Sequence, residues 1–85
     1  MADKQKKDTK TPYTKEQLLK VGNRLKELRM QKGFSNYENF AFSHELPRSQ
    51  YGRYENGEDM RLSSLIKVLE AMGVTLEDFF NENFK

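Results

Sequence analysis

Residues 37–57 read YENFAFSHELPRSQYGRYENG, and this stretch divides into two short segments. Tyr37, Phe40, Ala41 and His44 recur at steps of three, one and three, which places them on one face of a helix. Ala41 is the small residue among them, and a small residue lets two helices cross closely. Leu46-Pro47 ends the first segment and opens the second, because proline suits the first turn of a helix, where its missing N–H has no partner to lose. In the second segment Tyr51 and Tyr54 face inward, while Arg48, Ser49, Gly52, Arg53 and Asn56 face out. Asn56-Gly57 is a strong stop signal. The pattern is two helices joined by a tight turn. The second helix presents two guanidinium groups beside hydroxyl and amide side chains (Ser49, Gln50, Asn56), a set suited to base edges in a DNA major groove.

The flanking chain supplies a scaffold for that unit. Upstream, Leu18, Val21, Leu25 and Leu28 form an apolar stripe, and Gly33 terminates it, which predicts a first helix from about residue 15 to residue 32. Thr14 with Gln17 has capping-box spacing, and Tyr13 with Leu18 has that of a hydrophobic staple. Lys20, Arg24, Lys26, Arg29 and Lys32 are assigned to its outer face. Gly22, inside this helix, costs about 1 kcal/mol relative to alanine and is a candidate point of close approach by another element. Ser35 and Glu38 repeat the capping-box spacing ahead of the second helix. Downstream, Leu62, Leu65, Ile66, Leu69 and Met72 form a further helical stripe, closed by Gly73. Thr75 with Asp78, and Val74 with Phe79, open a fifth helix holding Leu76, Phe79, Phe80 and Phe84. No stretch shows sustained alternation, so the chain is expected to be all-α, with five short helices around one core.

Length and composition set bounds on function. Eighty-five residues make one domain with a modest core and little room for an enclosed catalytic cavity. There is no cysteine, which excludes disulfides and thiolate metal sites and fits a reducing cytoplasm. No apolar run approaches a membrane span, and the start lacks the apolar segment of a secretory signal. Residues 1–57 hold twelve basic and seven acidic side chains, and residues 58–85 hold three and six. A basic half beside an acidic half points to one face made for a polyanion. Residues 1–12, with four lysines and almost nothing apolar, read as a flexible basic arm ahead of a domain at residues 13–85. The arm has two readings, a phosphate-tracking segment and a solvated tail.

With RLKELRMQKG in helix 1, Ala41 in helix 2, RSQYGRYENG in helix 3, LSSLIKVLEAMGV in helix 4 and TLEDFF at the end, the segment from about residue 21 to residue 80 resembles the phage repressor and Cro-type (XRE-like) helix-turn-helix DNA-binding family. The resemblance implies a compact five-helix, lambda-repressor-like domain with the helix-turn-helix at helices 2 and 3. It implies that Pro47, Arg48, Ser49, Gly52 and Arg53 meet base edges. It further implies that Tyr37, at the start of helix 2, and Asn56 and Gly57, after helix 3, meet the backbone. Arg24 is added to the backbone contacts on charge and proximity. The sequence departs from the family where Glu45 stands in place of the usual turn glycine, and where His44 replaces an aliphatic residue. The expectation is therefore either a distorted turn or a left-handed or altered conformation at Glu45.

Arg48 and Arg53 carry the central assignment, because arginine's fork spans guanine O6 and N7; which of them reads a base and which a phosphate stays open. Tyr51 and Tyr54 are assigned to the core, lying opposite those arginines. His44, the one histidine, is assigned to the core or its rim. One histidine without cysteine makes no structural zinc site, and no nucleophile or phosphate-loop signature occurs. No enzyme, metal or cofactor is expected. The expected function is sequence-specific regulation of transcription on double-stranded DNA, with repression as the direction. A homodimer on two half-sites is expected, with Phe79, Phe80 and Phe84 as its interface. The alternative is a protein-interaction module, such as an antitoxin, using the same fold with a protein partner.

Overall fold

In the computed structural model, which describes residues 10–85, the chain forms α1 (Pro12–Gln31), α2 (Tyr37–Ser43), α3 (Arg48–Glu55), α4 (Leu62–Met72) and α5 (Leu76–Phe79), with no strand among the described residues. The basic arm expected over residues 1–12 falls almost wholly outside these residues. The helix order is the expected one, but two start signals are corrected. α1 begins earlier than the sequence pattern predicts: the Thr11 hydroxyl accepts the Thr14 N–H at 3.1 Å, and Pro12 occupies the first turn. Thr14 is therefore a recipient of the cap and not the cap itself. At α2 the cap is Asn36, not Ser35; its side-chain oxygen accepts the Asn39 N–H at 2.8 Å. Amide and hydroxyl caps are nearly equivalent, so adjacent Ser35 and Asn36 compete. At α5 the expected pairing of Thr75 with Asp78 is present.

The helix ends share one device. After α1 and α3, a glycine with positive φ (Gly33 at 95°, Gly57 at 90°) donates to the carbonyl three residues back. The next residue donates five back, from Phe34 to Arg29 and from Glu58 to Arg53. This is the Schellman arrangement. α2 closes the same way, with Glu45 N–H to the Phe42 carbonyl and Leu46 N–H to the Ala41 carbonyl. In this turn the left-handed residue is Glu45, at φ 57°. The tight turn between α2 and α3 thus keeps its geometry without glycine, at a cost of about 1–2 kcal/mol in local strain. Glu45→Gly is expected to stabilise the domain by about 0.5–1 kcal/mol, since strain relief outweighs the added freedom of the unfolded chain. Chemical denaturation reads this as a rise in midpoint at unchanged slope, and a fall in midpoint would contradict it.

α3 lies at the centre, packed on both α1 and α2. Leu25, Phe40, Ala41, Tyr51, Leu69 and Phe79 are fully or almost fully buried, with Leu28, Leu46, Tyr54, Leu65, Val68 and Met72 completing the core. Both tyrosines of α3 are therefore core residues. His44 is half-buried at the rim, its ring 4.4 Å from that of Phe40, with Nδ1 2.9 Å from the Phe40 carbonyl oxygen. In α4 the buried row runs through Leu65, Val68, Leu69 and Met72, whereas Leu62 and Ile66 are exposed.

Two arginines assigned to the outer face of α1 are buried. Arg29 donates from Nε and Nη2 to the two carboxylate oxygens of Glu55, at 2.8 and 2.9 Å, and from Nη1 to the Phe34 carbonyl at 2.7 Å. Hydrogen bonding by Glu55, opposed by burial, raises the Arg29 pKa further. This fork ties α1 to the end of α3. The Tyr51 ring is buried next to the pair. Burial first, and then the Glu55 carboxylate, push its phenol far above the usual tyrosine range. Arg24 is the second buried arginine.

Candidate nucleic-acid interface

α3 owes its rigidity to contacts on three sides. At its C-terminal end the Arg29–Glu55 fork fixes it to α1. Gly22 lets the backbones meet at that end, since a Cβ at Gly22 would stand 2.6 Å from the Glu55 carbonyl oxygen and 2.7 Å from that of Tyr54. Inside, Tyr51 packs on Phe40 of α2, with ring centroids 5.1 Å apart. On the third side the Tyr37 ring lies against Gly52. A Cβ on that glycine would come within 2.6 Å of Tyr37 Cε1.

That contact corrects one assigned base reader. Gly52 is buried beneath Tyr37 and does not reach the outer surface of α3. Pro47, Arg48, Ser49, Gln50 and Arg53 do face solvent. Pro47 caps the N-terminus, Arg48 and Ser49 lie in the first turn, and Arg53 stands one turn further on. Arg53 is paired with Glu58 only at 4.0 Å between two exposed side chains, a contact worth little that a phosphate or base can replace. The exposed surface of α3 is thus cationic and polar, with donors spaced over two turns.

Around it stand the groups assigned to the backbone. Tyr37 remains partly exposed while its ring packs on Gly52. Asn56 is exposed at the end of α3, and Gly57 turns the chain close against Leu19. A shallow depression brings Asn56 and Gly57 together with Lys10, Lys15 and Leu19, and Lys10 lies 4.0 Å from Asp59 in the same loop. The chain preceding α1 therefore emerges beside the α3–α4 loop. Arg24 is removed from this set. It is 7% exposed, and its guanidinium is spent on Glu27 and on the carbonyl oxygens of Asp78 and Phe79. Sequence reasoning misses both buried arginines and the Tyr37–Gly52 seat. The apolar stripe of α1 is a signal for Arg29, which stands four residues after Leu25 and seven after Gly22 and so falls inside the stripe.

A central, exposed cationic helix set across a tight turn from a shorter one defines a helix-turn-helix domain, and the helix-turn-helix family (HTH_3) matches residues 25–79. The chain belongs to that family, a group of DNA-binding transcriptional regulators and not of enzymes. It is similar to the control protein C.MunI of a Mycoplasma species, at 35% identity over 65 residues covering 75% of this chain and 88% of the relative. No solved structure matches it significantly. No helix among the described residues is long and apolar enough to cross a membrane.

Proposed function

We propose that this chain is a sequence-specific cytoplasmic regulator that lays α3 in the major groove of double-stranded DNA and, like its relative, acts as a control protein. The single observation that carries this reading is the exposed row of Arg48, Ser49 and Arg53 on a helix whose other sides are locked against α1 and α2. Arg48 and Arg53 read bases, with Ser49 beside them and Pro47 against a thymine methyl. Tyr37, Asn56 and the Gly57 backbone hold phosphates. Lys10, the last lysine of the basic arm, lies beside Asn56 and extends that grip. Occupying a promoter in this way makes repression the natural outcome.

A single α3 covers little DNA, and pairing of two copies supplies two half-sites about one helical turn apart. The pairing face expected from the sequence changes in one member. Phe79 is fully buried and belongs to the core, while Phe80 is 46% exposed and Phe84 packs against both phenylalanines. Leu62 and Ile66 of α4 and Leu76 and Phe80 around α5 are the exposed apolar residues of this end, and a groove lined by Ile66, Val74 and Leu76 joins the two helices. A second copy of the chain is the occupant proposed for that face.

In-vitro selection of bound duplexes from a random pool, followed by mobility-shift titration, tests the reading. The expected result is an inverted repeat, with affinity falling by a log–log salt slope of about −0.9 per phosphate neutralised. Arg48→Ala and Arg53→Ala each cost about 1–3 kcal/mol of discrimination at the bases they read and leave weak, unselective binding. Two variants as selective as the parent would mean that α3 is not the reading helix.

A further inference from the structure

The polar anchoring of the C-terminal segment converges on one side chain. α5 has four residues, too few to persist as an isolated helix, and its last carbonyls have no partner within the helix. Arg24 of α1 supplies the missing donors. Nε donates to the Phe79 carbonyl at 3.1 Å, and Nη2 to the Asp78 carbonyl at 3.0 Å. Nη2 also lies 3.5 Å from Asn81 Oδ1, and that oxygen accepts the Asn83 N–H at 2.8 Å. On the far side, Nη1 donates to Glu27 Oε1 at 2.8 Å, which fixes the orientation of the guanidinium plane. Phe84 folds back onto Phe79 and Phe80, beneath the Lys20 ammonium, 5.2 Å from the ring centre.

The consequence concerns the exposed apolar residues of this same segment. The Phe80 N–H donates to the Leu76 carbonyl, so these two residues stand one turn apart on the same short element. They are 46% and 39% exposed, and Leu76 borders the groove shared with Ile66. Burial of Phe79 fixes how deep α5 sits. Rotation about that anchor is restrained by the Arg24 hydrogen bonds, and rotation is what would move Leu76 and Phe80 out of register with Ile66.

We propose that Arg24 is a positioning residue for self-association: its guanidinium clasp sets the orientation of α5 that a second copy docks on, a role that rests on the proposed pairing of two chains. Every hydrogen-bond partner found for Arg24 lies in α1 or at the C-terminal segment, none in α3, so its loss separates pairing from DNA contact.

Sedimentation of the whole chain, wild type against Arg24→Met and Glu27→Gln, tests this, with binding to a single half-site duplex and helical circular dichroism measured on the same samples. Arg24→Met is expected to weaken dimerisation about tenfold or more, while helicity and half-site affinity per protomer stay at the wild-type level. Glu27→Gln, whose amide oxygen still accepts from Nη1, is expected to dimerise like the wild type. Should Arg24→Met fail to fold, Arg24→Lys replaces it, since an ammonium reaches the same carbonyls without the fork and gives a smaller loss in the same direction. A folded Arg24 variant that pairs as tightly as the wild type overturns the positioning role. A wild-type chain that stays monomeric at every concentration overturns the pairing itself and this inference with it.

Discussion

Gly22→Ala is expected to lower the melting temperature by roughly 10–20 °C, although the substitution sits in the middle of a twenty-residue helix. Helix propensity alone predicts a gain of about 1 kcal/mol, because alanine restricts the unfolded chain and favours helix. Packing predicts the reverse. The new methyl would stand within 2.9 Å of three backbone atoms of Tyr54 and Glu55, and backbone cannot swing aside as a flexible side chain can. α1 and α3 must separate, which also draws the Arg29 fork away from Glu55. The net loss is about 2–3 kcal/mol, a large share of the stability of so small a domain. Thermal unfolding decides between the two effects by sign: a melting temperature at or above the wild-type value would mean that the helices do not meet at Gly22.

Glu55→Ala is expected to cost more still, about 3–5 kcal/mol, and to leave much of the protein unfolded at 37 °C. The side chains of Arg29 and Glu55 are 4% and 7% exposed, so removing the carboxylate leaves a guanidinium buried with one partner, the Phe34 carbonyl. Arg29→Met strands the carboxylate in the same way and is expected to lose a similar amount. The double variant Arg29→Met/Glu55→Leu removes both charges, and it is expected to recover most of the loss, because a pair of apolar side chains avoids the desolvation of two ions. Urea denaturation of the wild type, Arg29→Met, Glu55→Leu and the double variant gives the cycle. Additive losses in the double variant would show that the two groups are not coupled.

The sequence discloses the fold because the signals that set it are local. Apolar stripes, glycines with positive φ and the Leu46-Pro47 break each act within a few residues, so helix order and the position of the turn can be read directly. Even the departure at Glu45 is legible: the turn demands a left-handed residue, and glutamate takes that conformation at a cost the surrounding hydrogen bonds offset. The start of α1 is misread when Pro12 is counted with the arm, although proline is favoured in the first turn of a helix. The fates of the arginines are harder to read. Arg24 and Arg29 look like solvated cations on α1. Their defining acceptors, Glu55 for Arg29 and the Asp78 and Phe79 carbonyls for Arg24, lie 26, 54 and 55 residues away, and although the apolar stripe marks the position of Arg29, no local pattern announces these partners. Gly52 escapes for a related reason. Its place on α3 suggests a groove-facing position, whereas Tyr37, fifteen residues earlier, covers it.

The covering of Gly52 bears on how much sequence information the protein can extract from DNA. A helix lying in the groove offers few positions that reach base edges, and one of those on α3 is closed by an aromatic ring belonging to the same chain. On the proposed mode of binding, reading would fall to Arg48, Ser49 and Arg53, with Pro47 at the edge, so one copy would specify only a handful of base pairs. Words that short recur by chance throughout any genome, and the many chance matches would compete for the protein. With the pairing proposed above, selectivity on a chromosome would come from requiring two such words at a fixed separation. On that proposal the spacing between half-sites is as much a part of the protein's vocabulary as the bases within them.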